Sequence, residues 1–322
     1  MSVTGQAVAL LVAGAALGLV GGAMWAAVIG WRGGGGGDGA GVANGRRPTS
    51  GRTVLARAGS YAGLALALAG AVALGTPGIA ALAIVLGAIG LAEWSGLADL
   101  PRHHRVALQV ANVAILLLVA ALGARAAEWI VGGTILVGLS WPVVRADPTR
   151  AMRDLGFAAL GVILLPGLLA HGVALSVERG PEGTATFAAL AVAVALSDVF
   201  AFLVGRRFGR TPLAPSLSPT KTRAGVAGNL AGAAIGIAMF SPILVPAFGG
   251  GFALLLVPLV AAGAVWGDLL ESAAKREAGV KDAAGWLPGF GGILDRIDSL
   301  LVTLPLAFWA LRIADLVRGG TG

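Results

Sequence analysis

Asp198, Asp268, Glu271, Asp295 and Asp298 sit where carboxylates are expensive, inside or at the edge of apolar stretches in the second half of the chain. The other apolar stretches carry at most one charge each. An ionised side chain at the centre of a membrane helix costs about 2.5–3.5 kcal/mol on insertion scales, so it persists where it meets a polar cavity, a metal or a cation. Asp268, Glu271, Ser272 and Lys275 recur at i, i+3, i+4 and i+7, which puts two carboxylates, a hydroxyl and an ammonium on one helical stripe. Asp295 and Asp298 repeat the i, i+3 arrangement where the last apolar stretch begins. Two acidic stripes that meet suit a hard divalent cation, because Mg2+ takes oxygen ligands and commonly holds one or two carboxylates together with substrate phosphates.

Between the stripes lie Lys275, Arg276 and Lys281 and the run Pro288-Gly289-Phe290-Gly291-Gly292. Its glycines let backbone N–H groups approach an anion at the entry to the helix that carries Asp295. An earlier segment is basic and free of acid: Gly205-Arg206-Arg207-Phe208-Gly209-Arg210, then Leu217-Ser218-Pro219-Thr220-Lys221-Thr222-Arg223. Such a loop attracts anionic head groups on charge alone. The hydroxyls of Ser218 and Thr222 on either side of Lys221 point further, to a specific phosphate or nucleotide contact. Asp198 lies about two turns before Gly205 on the same predicted helix.

These residues are carried by an apolar chain. Of 322 residues, 57% are hydrophobic and 12% charged, with a mean hydropathy of +0.87, which places the sequence among membrane proteins. Stretches long enough to cross about 30 Å of hydrocarbon run near 6–30, 57–75, 77–95, 105–124, 126–143, 155–176, 184–204, 225–247, 251–270 and 296–316. The expected fold is therefore an all-α polytopic membrane protein of about ten transmembrane helices. With the N-terminus outside, the short inner loops collect nearly all the Arg and Lys, leaving only Arg125, Arg179, Arg312 and Arg318 outside. That orientation puts both candidate loops at the cytoplasmic face.

The net charge of +7 is spread in these loops, which reads as topology and contact with membrane lipid and excludes nucleic acid as the main partner. The absence of cysteine excludes disulfides, thiolate nucleophiles and Cys-type metal sites. Residues 1–31 read as an extra N-terminal span, 32–56 as a flexible Gly-rich basic linker, 57–180 as an N-terminal bundle and 181–322 as a C-terminal catalytic region. Small-residue stripes such as Gly228, Ala231 and Gly232 would let helices approach closely.

The late motifs resemble those of a known family, the phosphatidate cytidylyltransferases or CDP-diglyceride synthetases. The resemblance is carried by Ser272-Ala-Ala-Lys275-Arg276, Lys281-Asp282, Leu287-Pro288-Gly289-Phe290-Gly291-Gly292 and Asp295-Arg296-Ile-Asp298, and by Asp198-x-x-Ala201-Phe202-x-x-Gly205-Arg206 with Ser218-Pro219-x-Lys221-Thr222. It implies a dimeric membrane enzyme that uses CTP and Mg2+, with a monovalent cation such as K+ beside it, to convert phosphatidic acid into CDP-diacylglycerol and pyrophosphate. On this resemblance Asp268 and Asp295 hold the metal and act in catalysis with Lys275, Lys281 and Asp282. Ser218, Lys221, Thr222, Arg206, Ser272, Arg276, Gly291, Gly292, Arg296, Asp198 and Asp298 contact or surround the substrates.

The chain departs from the family pattern at three places. Phe290 stands where the signature has His, Arg223-Ala224 where it has Trp-Glu, and Ser197 where an Asn-like residue precedes Asp198. The departures leave open a CTP-dependent transferase acting on another lipid phosphate or alcohol, or a catalytically silent lipid-binding paralogue.

Overall fold

The computed structural model describes residues 2–10, 51–124, 151–277, 279 and 292–319. The described chain is helical apart from one hairpin: α1 (Gly51–Leu74), α2 (Thr76–Leu97), α3 (Arg102–Leu122), α4 (Ala151–Val162), α5 (Leu168–Phe208), β1 (Pro212–Ala214), β2 (Ser218–Thr222), α6 (Arg223–Met239), α7 (Ser241–Phe248), α8 (Gly250–Glu277) and α9 (Leu294–Gly319). A π-helical turn, Ile163–Gly167, joins α4 to α5, and Pro166 within it lacks the N–H that an α-helical ladder needs.

Helix α5 is two antiparallel arms. At Gly180, φ 55° and ψ −129° reverse the chain, a conformation that glycine adopts without a Cβ penalty. On the two arms a methyl added at Gly172 would lie 2.7 Å from the Phe187 ring, and Ser176 Oγ hydrogen-bonds Thr184 Oγ1 at 2.6 Å. In an uninterrupted helix residues 172 and 187 would stand about 22 Å apart. The reversal therefore separates the stretches 155–176 and 184–204, as the apolar pattern predicts.

The stretch 225–247 is different, for it breaks into α6 and α7, bent by 77°. Pro242 enters α7 at its first turn and cannot continue the ladder of α6. The basic segment is also more ordered than the loop expected from sequence: β1 and β2 pair antiparallel, with Pro212 opposite Thr222 and Ala214 opposite Ser218.

Among the described residues five helical runs are long and apolar enough to cross a membrane, or six with the bent α6–α7 pair counted once; one of the five, Met152–Phe208, contains the reversal at Gly180. The expected span 126–143, most of 6–30 and residues 32–50 of the expected linker lie outside the described residues, whereas 51–56, also read as linker, open helix α1. The described part is thus an α-helical membrane fold, with ten spans a finer count than these residues supply.

Packing depends on small residues, since lipid offers no hydrophobic gain for bringing helices together. A Cβ at Gly228 would overlap the carbonyl oxygen of Phe200, and one at Gly232 that of Leu196, so α6 lies against the second arm of α5 at backbone distance. Helices α8 and α9 meet in the same manner at Gly263 and Gly267, where a Cβ would overlap Thr303 and the carbonyl oxygen of Asp298. These two close pairs bring the ends of α5, α8 and α9 together at the hairpin.

Candidate active site at one end of the bundle

Four segments supply the site: the end of α5, strand β2, the last turns of α8 and the first turn of α9. The β2 strand is fixed by its own sequence. Thr222 Oγ1 accepts the Gly225 N–H at 3.1 Å and so caps α6, while Gly205 leaves room for the same hydroxyl, which lies 3.0 Å from where a Cβ would stand. With the strand pinned, half-buried Lys221 reaches across to α8, and its Nζ lies 2.5 Å from Asp268 Oδ2. Arg276 Nε donates to the Leu217 carbonyl at 3.5 Å, tying the end of α8 back to the hairpin.

On α8 the predicted stripe forms. Lys275 Nζ lies 2.6 Å from Glu271 Oε1 one turn earlier and 2.8 Å from Asp295 Oδ1 on α9. Carboxylate oxygens of Asp268, Glu271 and Asp298 all come within 4.8 Å of one another. Glu271 and Asp298 are buried, Asp268 half-buried. Asp298 Oδ1 accepts the Ser299 N–H at 2.6 Å, and Ser299 Oγ donates to the Ala264 carbonyl at 3.2 Å, which locks α9 onto α8 at this level. Asp198 lies within electrostatic reach of Asp268, Lys221 and Arg296, and Asp298 within reach of Asp268, Asp198 and Lys221. Beside Glu271 and Asp298 is an apolar cavity of about 40 Å³, walled by Trp94, Leu164, Leu165, Leu168 and Leu301.

The structure thus gathers Asp198, Lys221, Asp268, Lys275, Asp295, Arg296 and Asp298. Of the two carboxylates assigned to the metal, Asp268 lies in the converging trio. Asp295 stands one turn before Asp298, held by Lys275, and Asp298 and Glu271 are the carboxylates that converge with Asp268. Ser218 is half-buried at the start of β2, and Ser272 is half-buried on α8 beside Glu271. Thr222 serves the α6 cap, and Arg206 is exposed at the end of α5. Lys281, Asp282, Phe290 and Gly291 lie outside the described residues, whereas Gly292 is buried at the start of α9.

Glu93, near the end of α2, was not among the residues expected here. Only 2% exposed, it accepts the Ile293 N–H on Oε1 and the Leu294 N–H on Oε2, both at 2.8 Å. The signal was available in the sequence, because Glu93 is an acid inside the apolar stretch 77–95 and calls for the same explanation as the late acids.

Fold and site together define a class: an α-helical membrane protein with lysine-flanked carboxylates gathered where its helices end. The sequence model of the cytidylyltransferase family matches residues 55–314. The chain belongs to that family. It is 35% identical over 179 residues to a phosphatidate cytidylyltransferase of Brucella abortus, covering 56% of this chain and 62% of the relative. To the phosphatidate cytidylyltransferase of Pseudomonas aeruginosa it is 34% identical over 239 residues, 70% of this chain and 85% of the relative. A third relative, the phosphatidate cytidylyltransferase of Helicobacter pylori, is 45% identical over 114 residues, 35% of this chain and 41% of the relative.

Proposed function

We propose that the protein transfers CMP from CTP to phosphatidic acid, giving CDP-diacylglycerol and pyrophosphate, in an Mg2+-dependent reaction at the cytoplasmic face of a bacterial inner membrane. The observation that carries this reading is the convergence of Asp268, Glu271 and Asp298 between Lys221 and Lys275, in a chain of the cytidylyltransferase family. The donor set fits the metal. Three carboxylates offering oxygens within 4.8 Å suit a small hard cation, and the lysines suit the phosphates such a cation accompanies. When bound, Mg2+ would neutralise charge that develops on the phosphate oxygens during displacement at phosphorus.

This chain's own residues account for the remainder. Asp268, Glu271 and Asp298 would hold the ion, with Asp295 beside them keeping Lys275 in place. Lys221 and Lys275, at the two ends of the acidic row, would bind triphosphate oxygens, with Arg276, Arg296 and Lys281 adding positive charge and Asp282 orienting it. A phosphate oxygen of phosphatidic acid attacks the α-phosphorus of CTP, the bond from that phosphorus to the β-phosphate oxygen breaks, and pyrophosphate leaves. The attacking phosphate is an anion at neutral pH, so the step needs no strong general base and tolerates Phe290 in place of His. A K+ beside Mg2+ and a homodimer belong to the same reading, with lipid entering laterally from the membrane.

The test is incorporation of label from [α-32P]CTP into chloroform-soluble lipid by the purified protein, with phosphatidic acid, other lipid phosphates and lipid alcohols offered separately. The reading expects labelled CDP-diacylglycerol with phosphatidic acid alone, lost on chelation of Mg2+. Label appearing only with another acceptor would reassign the substrate, and no label with any acceptor would point to a silent paralogue.

A further inference from the structure

Glu93 is a buried acid with both of its oxygens engaged by backbone. They accept consecutive N–H groups, Ile293 and Leu294, at the start of α9, 200 residues along the chain. Those are orphan donors of the first helical turn, and a carboxylate there also complements the positive end of the helix dipole. The contact is built from both sides. A Cβ at Gly292 would stand 2.6 Å from Glu93 Oε2, so only glycine lets the carboxylate come this close. Next to Glu93, the Trp94 indole N–H donates to the Phe157 carbonyl at 2.8 Å and anchors the end of α2. The turn that Glu93 grips carries Asp295, paired with Lys275, and ends at Asp298 in the converging trio.

We infer that Glu93 is a positioning residue: by clamping the first turn of α9 it sets where Asp295 and Asp298 stand against α8, and so tunes cation binding without touching the ion. A cap that only strengthened the helix would contribute to stability and leave ion affinity alone. This inference rests on the cation-binding reading given above but not on the identity of the lipid acceptor.

The experiment is a Mn2+ titration followed by electron paramagnetic resonance on the detergent-purified full chain, compared with amide hydrogen exchange over residues 292–298. Outer interactions of this kind shift metal affinity by roughly 10–100-fold, so Glu93→Gln is expected to weaken Mn2+ binding by at least about tenfold while speeding exchange at Ile293 and Leu294. Glu93→Asp, which keeps both oxygens on a shorter arm, should recover part of the affinity. Gly292→Ala presses on the same contact from the other side, serves if Glu93→Gln fails to fold, and should weaken binding as well. Faster exchange with wild-type Mn2+ affinity in the variants would overturn the inference. Absence of lipid labelling in wild type would instead count against the proposed reaction and leave the Mn2+ comparison intact.

Discussion

Helix α9 bears charge at both ends, and the two ends are wired differently. At its far end Arg312 donates to Glu178 at 2.6 Å and Asp315 pairs with Arg179, each acid matched by one base, with side chains about a third exposed. At its near end Asp298 and Asp295 join Asp198, Asp268 and Glu271 around Lys221, Lys275 and Arg296; among these described residues acids outnumber bases, and two of the acids are buried. One-to-one pairing closes a contact and holds the α5 reversal against α9. A buried excess of one sign is costly unless protons neutralise it or a further cation joins it. The contrast therefore separates a charged contact that fastens the bundle from one that, on the proposed reading, takes a cation, although both use the same residue types.

The largest effect should come from the near end. Asp298→Asn and Asp268→Asn are each expected to lower kcat for CTP-to-lipid transfer by roughly 10²–10³-fold, the scale seen when one group facing developing charge is removed. Lys275→Met leaves Glu271 and Asp295 confronting each other, and breaking a buried pair in this way costs about 3 kcal/mol. Thermal unfolding in detergent should show that loss, and adding Asp295→Asn to the same chain should return part of it. Gly267→Ala forces a methyl onto the Asp298 carbonyl and parts α8 from α9, with about 1–3 kcal/mol of destabilisation and a higher Mg2+ requirement in the transfer assay. Arg312→Ala should be the mildest, at most about 1 kcal/mol of stability with kcat within about twofold of wild type. If it matched Asp298→Asn in kcat, the division between the two ends would be lost.

Much of this was written in the apolar pattern. Apolar stretches bounded by Gly, Pro and Arg give α1, α2, α3, both arms of α5, α8 and α9 nearly in full, because a helix that must cross hydrocarbon announces its length. The break in 225–247 was less visible, since Ser241-Pro242 sits among residues as apolar as those of the helices it separates. The hairpin was hidden because Ser-Pro-Thr-Lys-Thr carries no strand alternation of its own and pairs across only a few residues. Within the site, the i, i+3 spacing placed Asp295 and Asp298 on one face but could not say which would face Asp268. That choice is made by the packing of Gly263 and Gly267 on α9 and by Lys275 engaging Asp295. Glu93 stands out as an acid in an apolar stretch, but its partners are backbone N–H groups, which no side-chain motif encodes.

The most direct test of the account is calorimetric titration of CTP into the purified protein with Mg2+ and with EDTA, in wild type, Asp298→Asn and Arg312→Ala. The account predicts CTP binding that requires Mg2+, is lost in Asp298→Asn and is unchanged in Arg312→Ala. Equal affinity in EDTA, or equal loss in both variants, would contradict it.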